Sequence, residues 1–190
     1  MDARQQRTRS ALAKTILHLA ATRPVTEITV SELAAEAGIN RSTFYEHSDS
    51  PAALLRSTLR DELDEIRDRY LIDPSDIGEA IAVTTRDVLI HVESHEAIYA
   101  RGLALDDNAG ELHSMLSAQF AQTVRQLLTH GDIALPETDN PELLRSSVPR
   151  YIADGTVGAI ESWLSSPAPR THEQFLATYR VLLPEWWPIS

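Results

Sequence analysis

Apolar residues recur along this chain at intervals of three and four, which is the spacing of one face of an α-helix. In the first segment the pattern falls on Leu12, Ile16, Leu19 and Ala20, and it predicts a helix over residues 5–22. No alternation of apolar and polar residues extends beyond four positions, so no strand is predicted. The pattern therefore predicts an all-α fold.

Capping residues divide the segment that follows into short helices. Thr29, with Glu32 three positions later, has the form of a capping box, and it begins a helix that is expected to end at Gly38. Asn40 is placed to cap a third helix that runs through Tyr45. Two short helices separated by a glycine turn are therefore expected between residues 29 and 45.

A long fourth helix is expected to join two domains. Ser50 followed by Pro51 supplies a cap and a first-turn proline, and the helix is predicted to end near Tyr70. Apolar stripes predict five more helices, over about 75–94, 96–105, 112–131, 142–165 and 171–183. We therefore expect an N-terminal domain at 1–50, a connecting helix at 51–72, and a C-terminal domain at 73–190.

The stretch Thr29–Ser50 meets the steric demands of a helix-turn-helix. The turn requires a residue that tolerates a left-handed backbone, and Gly38 meets this requirement. Apolar or small residues must lie where the two helices cross and on both sides of the turn. These are Leu33, Ala34, Ala37, Ile39 and Phe44. The spacing of these residues predicts a DNA-reading motif.

The phrase AGINRSTFYEHS at 37–48 resembles the recognition-helix segment of the tetracycline-repressor (TetR) family of bacterial regulators. The resemblance covers residues 7–56, including the ITVSELA lead-in, and beyond it only the helical layout is similar. It implies a transcription regulator, most simply a repressor that binds a palindromic operator as a homodimer and is released by a small-molecule effector.

The resemblance also implies which residues bind DNA. Arg41 and Ser42 begin the recognition helix, whose N-terminal end points at base edges, and an arginine there can bind guanine O6 and N7. Thr43 and Tyr45 match positions where the family contacts phosphates. The predicted set is Thr29, Asn40, Arg41, Ser42, Thr43, Tyr45, His47 and Ser50.

Charge is distributed unevenly, although the net charge of −11 at first argues against DNA binding. Residues 1–60 contain eight Lys/Arg and six Asp/Glu, for a net +2, whereas residues 61–190 contain nine and 22, for −13. Such a chain would orient its basic end towards phosphates. Arg4, Arg7 and Arg9 are expected to form an N-terminal arm that lies along the DNA backbone or in the minor groove.

Two further sites are expected in the C-terminal domain. The predicted effector pocket comprises His91, His95, Tyr99, Met115, Gln119 and Trp163. The predicted dimer interface combines small residues of the eighth helix with bulky ones, because small residues let helices approach closely. It comprises Gly155, Gly158, Ala159, Ser162, Trp163, Phe175, Tyr179 and Leu182.

Two alternatives remain open, a module that binds another protein and a helical enzyme or metal protein. His91 and His95 are four residues apart and could bind one metal ion with His113 or Glu96, but no spacing places a third ligand. Neither a cofactor, a metal site nor a catalytic set is therefore predicted. Without cysteine, a signal sequence or a long apolar run, the chain is expected to be cytoplasmic and not to bind membranes.

Overall fold

The computed structural model of the protein describes residues 3–72, 74–103, 110–130 and 133–189, and all regular elements within these ranges are helical. The prediction of an all-α fold is confirmed. The α-helices are α1 (Ala3–Thr22), α2 (Val30–Glu36), α3 (Arg41–Tyr45), α4 (Pro51–Leu71), α5 (Ile77–Ser94), α6 (Glu96–Leu103), α7 (Gly110–His130), α8 (Pro141–Leu164) and α9 (His172–Leu182). A 3₁₀ turn at Val25–Glu27 lies between α1 and α2. The predicted ends at residues 105 and 131 lie outside the described residues.

All three predicted helix starts are confirmed, but the expected side-chain cap forms at only two of them. The Thr29 and Ser50 hydroxyl oxygens accept hydrogen bonds from the backbone N–H of Glu32 and Ala53, at 3.2 and 3.1 Å. The Glu32 carboxylate pairs with Arg23, so only half of the expected capping box is observed. Asn40 occupies the N-cap position of α3 with extended backbone, but its side chain makes no capping hydrogen bond.

The helices α1 to α3, which together form the head, pack around a small apolar centre. Leu12 and Ile16 of α1, Leu33 of α2 and Phe44 of α3 are all fully buried. Leu54 and Leu55 of α4 extend the same cluster. The helix-turn-helix is therefore held by α1 on one side and by the start of α4 on the other.

The body is formed by α5 to α9, together with the second half of α4. Leu59, Leu63 and Ile66 form a buried stripe on this half of α4. Most of the buried residues belong to one apolar cluster that runs from Leu12 in α1 to Tyr179 in α9. A second cluster, built around Ile81, Leu127, Ile152 and Trp187, fills the far end of the body. Among the described residues, no helix is both long and apolar enough to cross a membrane.

Candidate nucleic-acid interface and effector cavity

The helix α3, which the sequence predicts to be the recognition helix, exposes polar side chains on the face opposite its apolar anchor. Phe44 is fully buried, whereas Arg41, Ser42 and Tyr45 are exposed, and Thr43 is partly exposed. The rings of Phe44 and Tyr45 meet edge to face at 5.4 Å, which holds the tyrosine ring against the head. A helix with an arginine and hydroxyl groups on its free face can donate hydrogen bonds to base edges and phosphates.

The turn before α3 has the backbone that a helix-turn-helix requires. Gly38 has a φ of +69°, which a side chain disfavours. The backbone N–H of Ile39 then donates to the carbonyl oxygen of Ala34 at 2.9 Å, which closes the end of α2. This turn sets the direction in which α3 leaves α2.

Four other predicted DNA-binding residues surround α3. Asn40 and Thr29 are exposed, and His47 and Ser50 are partly exposed. Since Asn40 makes no capping hydrogen bond, its amide is free to bind a ligand. Thr29 and Ser50 use their oxygens as cap acceptors, so their O–H groups remain able to donate.

The predicted N-terminal arm is helical from Ala3, so Arg4, Arg7 and Arg9 lie on the first turns of α1 rather than on an extended segment. Arg9 pairs with Asp61 of α4 at 2.5 Å, and the Nε–H of Arg7 donates to the carbonyl oxygen of Ala3. The three arginines therefore belong to α1 and not to a separate extended segment, and their contact with DNA stays a prediction. Helix propensity of ARQQRTRSALAK, which lacks Gly and Pro, explains the difference.

A mostly apolar cavity of about 90 Å³ lies between α5, α7, α8 and α9. Leu71, the last residue of α4, also contacts it. The Thr156 and Tyr179 hydroxyl groups on its wall hydrogen bond to each other at 2.5 Å, and burial raises the pKa of Tyr179 to about 12. The other lining residues are Ile81, Thr84, Thr85, Val88, Leu89, Phe120, Thr123, Val124, Leu127, Ile152, Ile160, Phe175 and Trp187.

Two residues that line this cavity carry a buried polar atom with no partner among the described residues. The hydroxyl of Thr84 and the indole Nε1–H of Trp187 are both buried and make no hydrogen bond. A buried donor without a partner costs about 1–3 kcal/mol. A ligand that hydrogen bonds to both groups would remove that cost.

None of the six residues predicted to form the pocket lines this cavity. His91 lies about two turns after Thr84 on α5, His95 is the C-cap residue of α5, and Tyr99 lies on α6. Met115 is buried in the main core, Gln119 donates to Asp64 of α4, and Trp163 packs against Phe175. The threonines missed by the sequence reading could have been found because Thr84 and Thr156 interrupt apolar stripes of α5 and α8.

Comparisons with known proteins agree on the architecture. No family model and no curated protein sequence matches the chain. The chain is similar to the crystal structure of a TetR transcriptional regulator from Streptococcus agalactiae 2603V, with a TM-score of 0.66 and 20% identity over 95% of this chain and 96% of that one. The protein has the TetR-family fold.

Two other solved structures share this TetR-family fold. The dihydroxyacetone kinase operon activator DhaS is 18% identical over 92% of this chain and 93% of its own, with a TM-score of 0.64. RolR in complex with resorcinol is 19% identical over 94% of this chain and 88% of its own, with a TM-score of 0.58. At these identities, the similarity extends over nearly the whole length of each chain but establishes the fold only.

Within the TetR-family fold, α4 and α5 bring together a polar cluster of Glu62, His91 and His95. The Nε2 of His95 lies 3.0 Å and the Nδ1 of His91 lies 3.4 Å from the same Glu62 oxygen. Burial, with a smaller contribution from His95, lowers the pKa of His91 to about 4. The hydrogen bond from His95 lowers the pKa of Glu62, although burial opposes it. His113 and Glu96 do not join the cluster, because they pair with Glu161 and Arg170.

The predicted dimer residues divide into buried and exposed sets. Trp163, Phe175 and Tyr179 are buried within the single chain, so they support α8 and α9 from inside and do not form the outer surface. Gly155, Gly158, Ala159, Ser162 and Leu182 remain at least partly exposed. A Cβ added at Gly155 or Gly158 would meet nothing within 4 Å, so these glycines serve no packing role within the described part of the chain.

Large apolar side chains extend this open face of the TetR-family fold. Tyr151 lies one turn before Gly155 and is 65% exposed, while Val181 and Leu182 at the end of α9 are 84% and 59% exposed. Sequence reading missed Tyr151 and Val181. The four-residue spacing from Tyr151 to Gly155 was the signal that could have identified the tyrosine.

Proposed function

We propose that this protein is a transcription regulator of the TetR family that binds operator DNA through α3. The observation that carries the proposal is the free face of α3, where Arg41, Ser42 and Tyr45 are exposed on a helix that Phe44 and the Gly38 turn hold in place. The fold and the net charge of +2 on residues 1–60 support it. Such a regulator acts on the chromosome, so we place it in the cytoplasm.

We further propose that the chain binds DNA as a homodimer through α8 and α9. Gly155 and Gly158 leave a channel along α8 into which a partner helix can pack closely, and Tyr151, Val181 and Leu182 provide apolar area beside it. Two recognition helices related by a two-fold axis would enter successive major grooves, ~34–36 Å apart. The operator would then contain two related half-sites.

The cavity between α5, α7, α8 and α9 is the proposed effector site. An apolar cavity of ~150 Å³ is able to bind benzene, so a cavity of about 90 Å³ favours a molecule the size of a single ring. Thr84 and Trp187 favour hydroxyl or carbonyl groups on that ring. Resorcinol, the ligand of the similar RolR structure, has this general chemistry.

Effector binding is proposed to release DNA by moving α4. Leu71 ends α4 and forms part of the cavity wall, so a ligand there pushes directly on the helix that carries the DNA-reading head. A ligand that favours the released state by ~1–3 kcal/mol would weaken DNA binding ~5–150-fold. We propose that the DNA-bound protein represses transcription. The similar DhaS is an operon activator, so proteins of this fold also include activators.

Selection from a library of randomised DNA duplexes tests the proposal. The purified chain is expected to enrich a sequence with two related half-sites, and light scattering is expected to give a mass of two chains in solution. Failure to enrich any motif at low salt would overturn the DNA-binding function. A protein-interaction module would give that result while retaining the dimer.

Linkage tests the effector proposal separately. Small hydroxylated aromatic compounds are screened by thermal shift, and a compound that stabilises the protein is titrated with and without the selected operator. Operator must weaken compound binding by the same factor by which the compound weakens operator binding. Equal affinity in both titrations would remove the allosteric mechanism and leave DNA binding intact.

A further inference from the structure

The three side chains of the polar cluster come from two parts of the chain. Glu62 and His91 are 29 residues apart in sequence. Glu62 lies on α4, His91 lies in the last turn of α5, and His95 is the C-cap residue that follows α5. One ligand atom from each residue lies within 4.8 Å of the other two. Among the residues that the structure describes, this is the one group of three or more potential metal ligands that converges in this way.

Two of the three spacings in this cluster are close to those around a tetrahedral metal ion. Ligand atoms bound at about 2.0–2.2 Å on neighbouring corners of a tetrahedron lie roughly 3.3–3.6 Å from each other. The observed separations from the Glu62 oxygen are 3.0 Å to His95 Nε2 and 3.4 Å to His91 Nδ1. An ion can therefore enter after small shifts on the Glu62 side and a rotation of the histidine rings towards each other, since all three ligand atoms lie within 4.8 Å of one another.

We propose that Glu62, His91 and His95 bind a divalent transition-metal ion, with Zn²⁺ as the favoured class. Two imidazoles and one carboxylate are a donor set that zinc accepts in proteins, with a fourth position left for water or another ligand. Calcium and magnesium are disfavoured because they prefer oxygen ligands throughout. His91 in the last turn of α5 and His95 at its C-cap both turn their rings towards the same Glu62 oxygen, as a shared ion requires.

Tyr99 of α6 supports the ring of His91 from behind. Its hydroxyl oxygen lies 2.8 Å from His91 Nε2, on the opposite side of the ring from the Nδ1 that faces Glu62. Histidines that bind metals usually donate their second N–H to an oxygen, which fixes the ring and its tautomer. Tyr99 is fully buried and holds this oxygen in a fixed position.

Ordinary histidine–carboxylate pairs elsewhere in the chain differ from this cluster. The Nδ1 of His113 lies 2.8 Å from Glu161, and this pair has no second histidine. The His113–Glu161 pair therefore serves as an internal control, because it has the same two residue types without a third ligand.

The position of the site gives the ion a structural effect. Since Glu62 belongs to α4 and the histidines lie at the end of α5, a bound ion links the helix that carries the head to the body. This consequence rests on the proposed function, because it would restrict the movement of α4 that releases DNA. Binding of the ion itself does not depend on that function.

Metal titration of the tag-free, full-length protein tests the site. Protein stripped with a chelator is titrated with Zn²⁺ by calorimetry and with Co²⁺ by visible absorption, which reports coordination of nitrogen and oxygen ligands. One ion per chain is expected, with the intense cobalt bands of a four-coordinate site. No saturable binding, or binding that produces only the weak spectrum of hydrated cobalt, would overturn the proposal.

Variants separate this site from adventitious binding. His95→Ala and Glu62→Gln are expected to abolish the four-coordinate cobalt spectrum, and Tyr99→Phe to weaken zinc binding by about tenfold or more. His113→Ala, the matched control, is expected to bind as the parent does. Helical content by circular dichroism checks that each variant is folded. Parental binding by folded His95→Ala, or equal loss in His113→Ala, would assign the ion to other residues.

Discussion

Arg101 of α6 donates a hydrogen bond of 2.7 Å from Nη1 to the carbonyl oxygen of Ala20, near the end of α1. Its guanidinium also reaches the carbonyl oxygens of Arg23 and Ala21, at 3.2 and 3.4 Å. The last carbonyls of a helix lack partners within the helix and carry partial negative charge. Arg101 therefore caps α1 from the body, and the head is joined to the body here as well as through α4.

Replacing Arg101 by Ala is expected to lower the free energy of unfolding by about 1 kcal/mol, because the α1 carbonyls lose a cationic partner. Urea denaturation at fixed protein concentration measures the change. Arg86→Ala is the control, since Arg86 is an exposed arginine on α5 that reaches no carbonyl of another helix within the described residues. An equal decrease in the free energy of unfolding of both variants would mean that the contact between Arg101 and α1 does not stabilise the protein.

Gly38→Ala is expected to destabilise the protein by about 1–2 kcal/mol, because a φ of +69° is unfavourable for any residue with a Cβ. No atom lies within 4 Å of the added Cβ, so the cost is purely that of the backbone. Gly38→Asn is expected to cost less, since asparagine tolerates this region better. Thermal unfolding measures both, and alanine performing as well as asparagine would contradict the assigned backbone.

Gly155→Leu is expected to convert the dimer to a folded monomer. The added side chain meets open space within the chain but fills the channel that a partner helix requires. Light scattering at micromolar concentration gives the mass, and circular dichroism checks helical content. Ala118→Leu places the same side chain on an exposed position of α7 and is expected to leave the dimer intact. A dimeric Gly155→Leu variant would place the interface elsewhere.

Thr84→Val is expected to stabilise the ligand-free protein by about 1 kcal/mol, since it removes a buried hydroxyl without a partner and keeps the shape. It is also expected to weaken binding of any hydroxylated effector. Thr85→Val is the neighbouring control, because the Thr85 hydroxyl already donates to the carbonyl oxygen of Ile81 at 2.8 Å. Urea denaturation of the two variants compares them, and a destabilised Thr84→Val would indicate that its hydroxyl is satisfied.

Arg41→Ala is expected to cost ~1–3 kcal/mol at the selected operator and to relax preference at one base pair. Tyr45→Phe is expected to weaken binding to selected and random duplexes alike, because a phosphate contact carries no sequence information. Fluorescence anisotropy on both duplexes measures the affinities. Arg125→Ala removes one positive charge from α7, as Arg41→Ala does from α3, and is expected to change the affinity for either duplex little. The opposite pattern would exchange the roles of Arg41 and Tyr45.

The fold was predictable because its signals are local. The glycine turn at Gly38 and the caps at Thr29 and Ser50 depend on residues within three or four positions, and all three form as expected. Asn40 did not cap α3, because a cap residue also has the option of pointing into solvent. The assignment of DNA contacts remains a prediction, although the exposure of Arg41 and Tyr45 is compatible with it.

The sites in the body were less predictable because they depend on how distant helices pack. His91 and His95 were recognised as an inward pair, but their carboxylate partner, Glu62, lies on another helix at no characteristic spacing. The cavity lies where four helices leave a gap, and although Thr84 and Thr156 interrupt apolar stripes, such an interruption does not by itself indicate a cavity. Trp163 and Tyr179 were predicted to lie in the dimer interface, whereas both side chains are buried in the core of the single chain.

The apolar cluster that runs without interruption from Leu12 in α1, through Leu59 in α4, to Tyr99 and Leu116 in the body has a consequence for hydrogen exchange. Amide protons exchange from a buried helix only when the surrounding cooperative unit opens. Because the head shares its cluster with the body, protected amides of α1 and α7 are expected to exchange through the same opening, at similar rates. Binding energy gained anywhere in the body would then also slow exchange in α1 to α3.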